Sequence, residues 1–145
     1  MSPTDRPEGE HRSAQRNGGL TTMRRNAAAV ALLAAGCAAE TIVPDAPKVA
    51  TELAIAPYEI HEACADMAAG DRLDYRFEAQ APVTFHIYYR EGLAFVSPVS
   101  REDVQEFAGV FQAKDGRRYC LQWESGQRGA LLDYRLRLLR EGTRP

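Results

Sequence analysis

Few side chains after Cys37 could carry chemistry: His61 and His86, Ser97, Ser100 and Ser125, and a scatter of acids and arginines. Nucleophilic catalysis needs a serine or thiol held against a base. No serine here sits in a Gly-x-Ser-x-Gly turn, and there is no His-Glu-x-x-His helix, Cys-x-x-Cys pair or phosphate loop. The run Tyr58-Glu59-Ile60-His61-Glu62 places two acids around His61, and with His86 it offers a minimal metal-ligand set. Asp66, Asp71 and Asp74 surround Gly70 but lack the alternating spacing of a calcium loop. Neither pattern predicts a metal or other cofactor, and the chain is expected to be no enzyme. Recognition is the chemistry that remains. His86, Tyr88 and Arg90 alternate along one strand and share its outer face; tyrosine and arginine are favoured at interfaces, and the imidazole adds a group that titrates near neutrality. These three form the candidate binding patch. Arg117, Arg118, Arg128, Arg135, Arg137 and Arg140 add a basic stripe, local because residues 37–145 hold 13 basic and 17 acidic side chains.

The whole chain has 145 residues, 45% hydrophobic and 26% charged, which is room for one domain. Its net charge of -2 gives no general attraction to nucleic acid. Residues 23–37 read Met-Arg-Arg-Asn-Ala-Ala-Ala-Val-Ala-Leu-Leu-Ala-Ala-Gly-Cys. Two arginines, a nine-residue apolar run from Ala27 to Ala35 and a small-residue end form the three parts of a secretory signal. The run is too short to span a bilayer, which takes about 20 residues.

Ala34-Ala35-Gly36-Cys37 resembles the lipobox of bacterial lipoproteins, with Ala34 in place of the usual leucine. The resemblance implies that Cys37 is acylated and becomes the mature N-terminus. Ala38 after it, where aspartate marks inner-membrane retention in the enteric pattern, implies the outer membrane, facing the periplasm. Residues 1–22 are polar and without a hydrophobic period, so they are expected to be disordered or untranslated, with Met23 as the true start. Residues 23–36 are the expected signal peptide and 37–52 a lipidated tether, Pro44 and Pro47 included. With Cys37 carrying lipid, Cys64 and Cys120 remain as an even pair, which in an oxidising compartment is read as a disulfide.

Residues 53–140 carry the folded domain. Leu73, Tyr75, Phe77 and Ala79 alternate with polar residues, as do Val83, Phe85, Ile87 and Tyr89, which predicts two half-buried strands. A hairpin about Gln80-Ala81-Pro82 would set Phe77 opposite Phe85 and Tyr75 opposite Ile87, with Arg76 facing His86 and Glu78 facing Thr84 outside. Phe107, Gly109 and Phe111 run into an Asp115-Gly116 turn, followed by Tyr119, Leu121 and Trp123 at the same period. Gly126 to Gly129 breaks the chain before Leu132, Tyr134, Leu136 and Leu138. With Leu53–Ile60 and Leu93–Val96 this gives about seven strands, a small antiparallel β-sandwich. Glu59–Ala69 also fits a short helix. Tyr119, Leu121 and Trp123 inside would turn Cys120 outward, so the bridge is peripheral or the phase is shifted by one.

Cys64, Gly70-Asp71 before a strand, the run Val83 to Tyr89, and Tyr119-Cys120-Leu121-Gln122-Trp123 resemble the Golgi-dynamics (GOLD) domain over roughly residues 60–138. The resemblance implies a non-catalytic sandwich making protein or lipid contacts, by fold analogy. The expected function is an envelope lipoprotein that binds an envelope protein or glycan and no nucleic acid. The alternative is a small-ligand or carbohydrate-binding sandwich, which requires a concave aromatic pocket. Trp123 and Tyr134 would have to line it, and both are expected in the core.

Overall fold

The computed structural model describes residues 39–142; residues 1–36 and Cys37 lie outside the described residues. The described chain is all-β: β1 Glu40–Thr41, β2 Lys48–Ile55, β3 Ile60–Met67, β4 Arg72–Glu91, β5 Ala94–Gln112, β6 Arg117–Ser125 and β7 Ala130–Leu139. The seven strands form one sheet in the order β1-β3-β6-β4-β7-β2, with β5 alongside β4. Strand β4 makes that sheet a sandwich. Its residues 72–79 bond β7 and its residues 83–88 bond β6, so the sheet curls into two layers that share β4. One layer is β2, β7 and the first half of β4; the other is β1, β3, β6 and the second half. Strand β5 follows β4 through both layers as their common edge.

The expected hairpin at 80–82 does not form, because tight hairpins need a residue that tolerates positive φ and Gln80-Ala81-Pro82 supplies none. The strand bends instead, at an irregularity of the β4–β5 ladder between Glu78 and Val83. Pro82, with no N–H to donate, belongs at such a break. Phe77 does meet Phe85, ring centroids 4.9 Å apart, but across the bent corner of one strand. Tyr75 meets Phe85, and its cross-strand partners are Gly109 and Leu136 in place of Ile87. Arg76 pairs with Ala108 and Arg135 in place of His86, and Glu78 with Glu106 and Asp133 in place of Thr84. The two strands expected at Leu93–Val96 and around Phe107 are one, β5, which turns back from β4 at Gly92, φ +59°.

Two further expectations change. Residues 60–67 are strand, not helix, since β3 pairs with β6 along its whole length and buries Ala63, Ala65 and Met67. The tether expected over 37–52 is largely folded: β1 pairs in parallel with β3, Ile42 is buried, Pro44 bridges Leu138, and β2 begins at Lys48. Lys48-Val49-Ala50 has the alternation of the strand it joins, interrupted by a bulge at Thr51 and Glu52, whose N–H donates to Asp133. The parallel β1–β3 pair also makes the sheet mixed and not wholly antiparallel.

The core fills the space between the layers. Trp123, Phe77, Phe85, Leu73, Ile87 and Leu121 are its largest fully buried side chains. Burial of each such side chain stabilises the fold by roughly 1.5–3 kcal/mol. The rings of Phe77, Phe85 and Trp123 touch one another, and Trp123 stacks on Tyr134 at 5.1 Å, so aromatic contact is continuous from one layer to the other. Gly109 on β5 lies under the Tyr75 ring: a Cβ there would stand 2.6 Å from the Tyr75 hydroxyl. Only glycine fits at that point.

Candidate functional site

On the outer face of the β3–β6–β4 layer, period-2 side chains meet in rows set by the register. Tyr88 stands opposite Cys120, and Cys120 opposite Cys64. Cys64 and Cys120 are bonded to each other, Cα atoms 4.0 Å apart. The bridge is therefore on the outer side of the sheet, with Tyr119, Leu121 and Trp123 pointing inward. It is not bare: Cys64, Cys120 and Tyr88 form a buried cluster separate from the main core, with Ala39 packed against it. Tyr88 was expected at an exposed patch and is only 6% exposed. Its ring covers the disulfide, and its hydroxyl donates to Glu62 Oε1 at 2.7 Å. Burial, then the Glu62 carboxylate, push that hydroxyl up to about 12, so it remains a donor.

Around this cluster lies a depression of about 310 Å³ whose lining includes Tyr88, Arg90, Arg117, Arg118 and Glu62. Arg90 lies over the Phe95 ring at 4.2 Å, and Phe95 in turn packs on Tyr88 with centroids 5.2 Å apart. Arg117 lies over Tyr89, also at 4.2 Å, and reaches Asp115. Arg118 pairs with Asp66 at 3.5 Å, both side chains well exposed. The depression thus has an aromatic and disulfide floor with Arg90 and Arg118 on the same face, Arg117 bordering it from the side of Tyr89, and Phe95 at 59% exposure and a fully exposed Leu93 nearby. Planar guanidinium groups suit carboxylate and phosphate oxygens, and the aromatic flank suits apolar contact. Of the three patch residues expected from the sequence, Tyr88 and Arg90 line the depression. His86 shares their face one row away, opposite Gln122, half-buried. Phe95 and Glu62 were not anticipated, and Arg117 and Arg118 had been noted only as part of a basic stripe.

His61 faces the other way. It pairs with Trp123, and its ring stacks on Trp123 and Tyr134, so it is on the inner face at the mouth between the layers. His61 and His86 therefore lie on opposite faces of one layer and do not converge. Among the described residues no group of three or more His, Cys, Asp or Glu side chains is placed to hold a metal ion. Tyr134 donates to Glu40 Oε2 at 2.8 Å, and Lys48 pairs with the same oxygen at 2.5 Å. Burial keeps the His61 imidazole below its ordinary value, outweighing the attraction of Glu40. This mouth opens into a groove of about 550 Å³ whose walls include Leu53, Ile55, Tyr58, Ile60 and Glu59. Trp123 and Tyr134 are sealed beneath it, 0% and 3% exposed, as core residues.

No protein-family model matches the chain, and no curated protein is similar to it at a significant level. Solved structures are similar in shape. The pre-peptidase C-terminal domain of a Bacillus anthracis collagenase superposes with a TM-score of 0.51 at 14% identity, over 70% of this chain and 94% of that one. A periplasmic inhibitor of g-type lysozyme from Aeromonas hydrophila superposes with a TM-score of 0.51 at 12% identity, over 68% of this chain and 96% of that one. At such identities the likeness is one of fold: the chain is a small, all-β sandwich domain of the same general architecture as these two.

Proposed function

We propose that the protein is a non-catalytic lipoprotein of the cell envelope whose sandwich binds another envelope component through the arginine-rimmed depression. The observation that carries this reading is the placement of Arg90 and Arg118 around a floor of Tyr88 and the disulfide, beside exposed Phe95. Arginine and aromatic anchors around a pocket are the composition of binding hot spots. The disulfide supports a site outside the cytoplasm, where such bonds persist. Acylation at Cys37 and an outer-membrane location facing the periplasm rest on the sequence of residues 23–38. Placing a photo-cross-linking amino acid at Phe95, and as a control at Val49 on β2, tests the reading in intact cells. A discrete adduct at 95 and none at 49 is expected; no adduct at 95, or the same adducts at both, overturns it.

The groove at the mouth of the sandwich favours a second reading, a small-ligand site. Its volume is within the range of ligand pockets. The exposed aromatic in its walls is Tyr58, 69% exposed, so a ligand there would rest on one open ring and not on Trp123 or Tyr134.

A further inference from the structure

Among the described residues, strand β5 is bonded to β4 along one side only. Its other side, along a strand of 19 residues, pairs with no other strand among the described residues. The two halves of that edge differ. The first half holds Pro98 and the charged run Arg101-Glu102-Asp103, with Asp103 at φ +52° and irregular pairing nearby. Proline, charge and irregularity are the usual ways of blunting an edge. The second half, Phe107 to Gln112, is six residues without a charge or a proline. It pairs with β4 in unbroken register from Glu78–Glu106 to Arg72–Gln112 and leaves Val110 62% exposed. An open apolar edge of this kind is a template for another strand.

The sequence of the edge specifies which strand. We infer that two copies of the chain pair β5 against β5, antiparallel, about a two-fold axis through Gly109. This axis sets Phe107 opposite Phe111 of the second copy, Ala108 opposite its Val110, and Glu106 opposite its Gln112. Strand β4 extends each row on the solvent face, since Arg72, Asp74, Arg76 and Glu78 stand beside Gln112, Val110, Ala108 and Glu106. The row of Arg72 and Gln112 therefore continues into Glu106 and Glu78 of the second copy. The row of Asp74 and Val110 continues into its Ala108 and Arg76. Every row carries opposite charges on its two sides. Strands stand about 5 Å apart, which brings Arg72 within side-chain reach of Glu106 across Gln112.

Neighbouring registers lose this match. An axis through Ala108 lines up Arg76 with the second Arg76, and Asp74 with the second copy's Glu106 and Glu78. An axis through Val110 lines up Asp74 with Asp74 and Arg72 with Arg76. An axis between two residues would mix the inner and outer faces. Gly109 itself, with no side chain, lets the two strands and the two Tyr75 rings approach at the centre. The dimer joins the β2-β7-β4-β5 layers of both copies into one continuous sheet with a self-complementary contact, as two-fold symmetry requires.

Sedimentation equilibrium of the full chain in density-matched detergent tests the pairing. The unaltered protein is expected to show the mass of a dimer. The variant A108K/V110K sets lysine against lysine across the axis and should weaken the dimer by at least about tenfold. The variant A108E/V110K, changed at the same two exposed positions, sets glutamate against lysine and should dimerise again. A single-chain mass for the unaltered protein at all concentrations overturns the inference. So does a dimer that A108K/V110K leaves intact, or one that both variants abolish equally.

Discussion

Asp71 is the clearest case of one residue doing structural work at a distance. It is 2% exposed, yet charged. Its carboxylate accepts the N–H groups of Ala68 and Glu141, at 2.8 and 2.9 Å, and the guanidinium of Arg140 at 2.5 Å. It thereby ties the end of β7 to the turn before β4. Burial pushes its carboxyl up, but these donors outweigh it and hold it below the ordinary 3.8. A carboxyl depressed in the folded state contributes stability that is complete above its unfolded value and is lost as pH falls through the folded one. Asp71→Ala should therefore lower the unfolding free energy at pH 7 by about 2–3 kcal/mol. Denaturant titrations should find that difference fully present above about pH 4 and shrinking below it. From sequence, Asp71 could be noted only as one of three acids near Gly70. Arg140 and Glu141 lie 69 and 70 residues downstream, and nothing local announces them. The same holds for Tyr88: its alternation gave its face correctly, but the bond to Glu62 and the cover it gives the disulfide depend on two other strands.

Among the elements, alternation identified strands well and their pairing poorly. Leu73 to Ala79 and Val83 to Ile87 bury their odd-numbered residues as expected. A period of two states which side faces in; it does not state which strand lies beside it, and β4 proved to be one strand serving two layers. The start of the domain was hidden for a related reason. Two prolines and a short strand look like tether until Ile42 and Pro44 find β3 and β7. The candidate site was half legible in consequence, Tyr88 and Arg90 from β4 alone, while Arg117 and Arg118 came from β6. The disulfide belongs at this scale, since it fastens β3 to β6 across 56 residues of chain. Closing a loop of that length removes about 4 kcal/mol of unfolded-chain entropy. Cys64→Ser with Cys120→Ser should lose roughly this amount in equilibrium denaturation, and a reducing agent should then have no further effect. A midpoint unchanged by the double substitution would contradict the stapling role.

For the whole molecule, mass spectrometry of protein purified from its native membrane addresses anchor and bridge together. The expected species begins at Cys37, carries lipid, and gains two hydrogens on reduction. An unmodified full-length mass with no shift on reduction would remove the envelope reading. The folding of residues 40–52 changes what such an anchor would mean. Cys37 is two residues from Ala39, a reach of about 7 Å, where a tether running to residue 50 would have given roughly 40 Å. Ala39 itself packs on the Tyr88 and disulfide cluster and lines the depression. An acylated chain would thus be moored, not leashed. Its domain would have little freedom to tumble, and the face bearing Arg90 and Arg118 would lie at the depth of the lipid phosphates. Whatever occupies that depression would have to meet it there, from within the bilayer surface and not from the open periplasm.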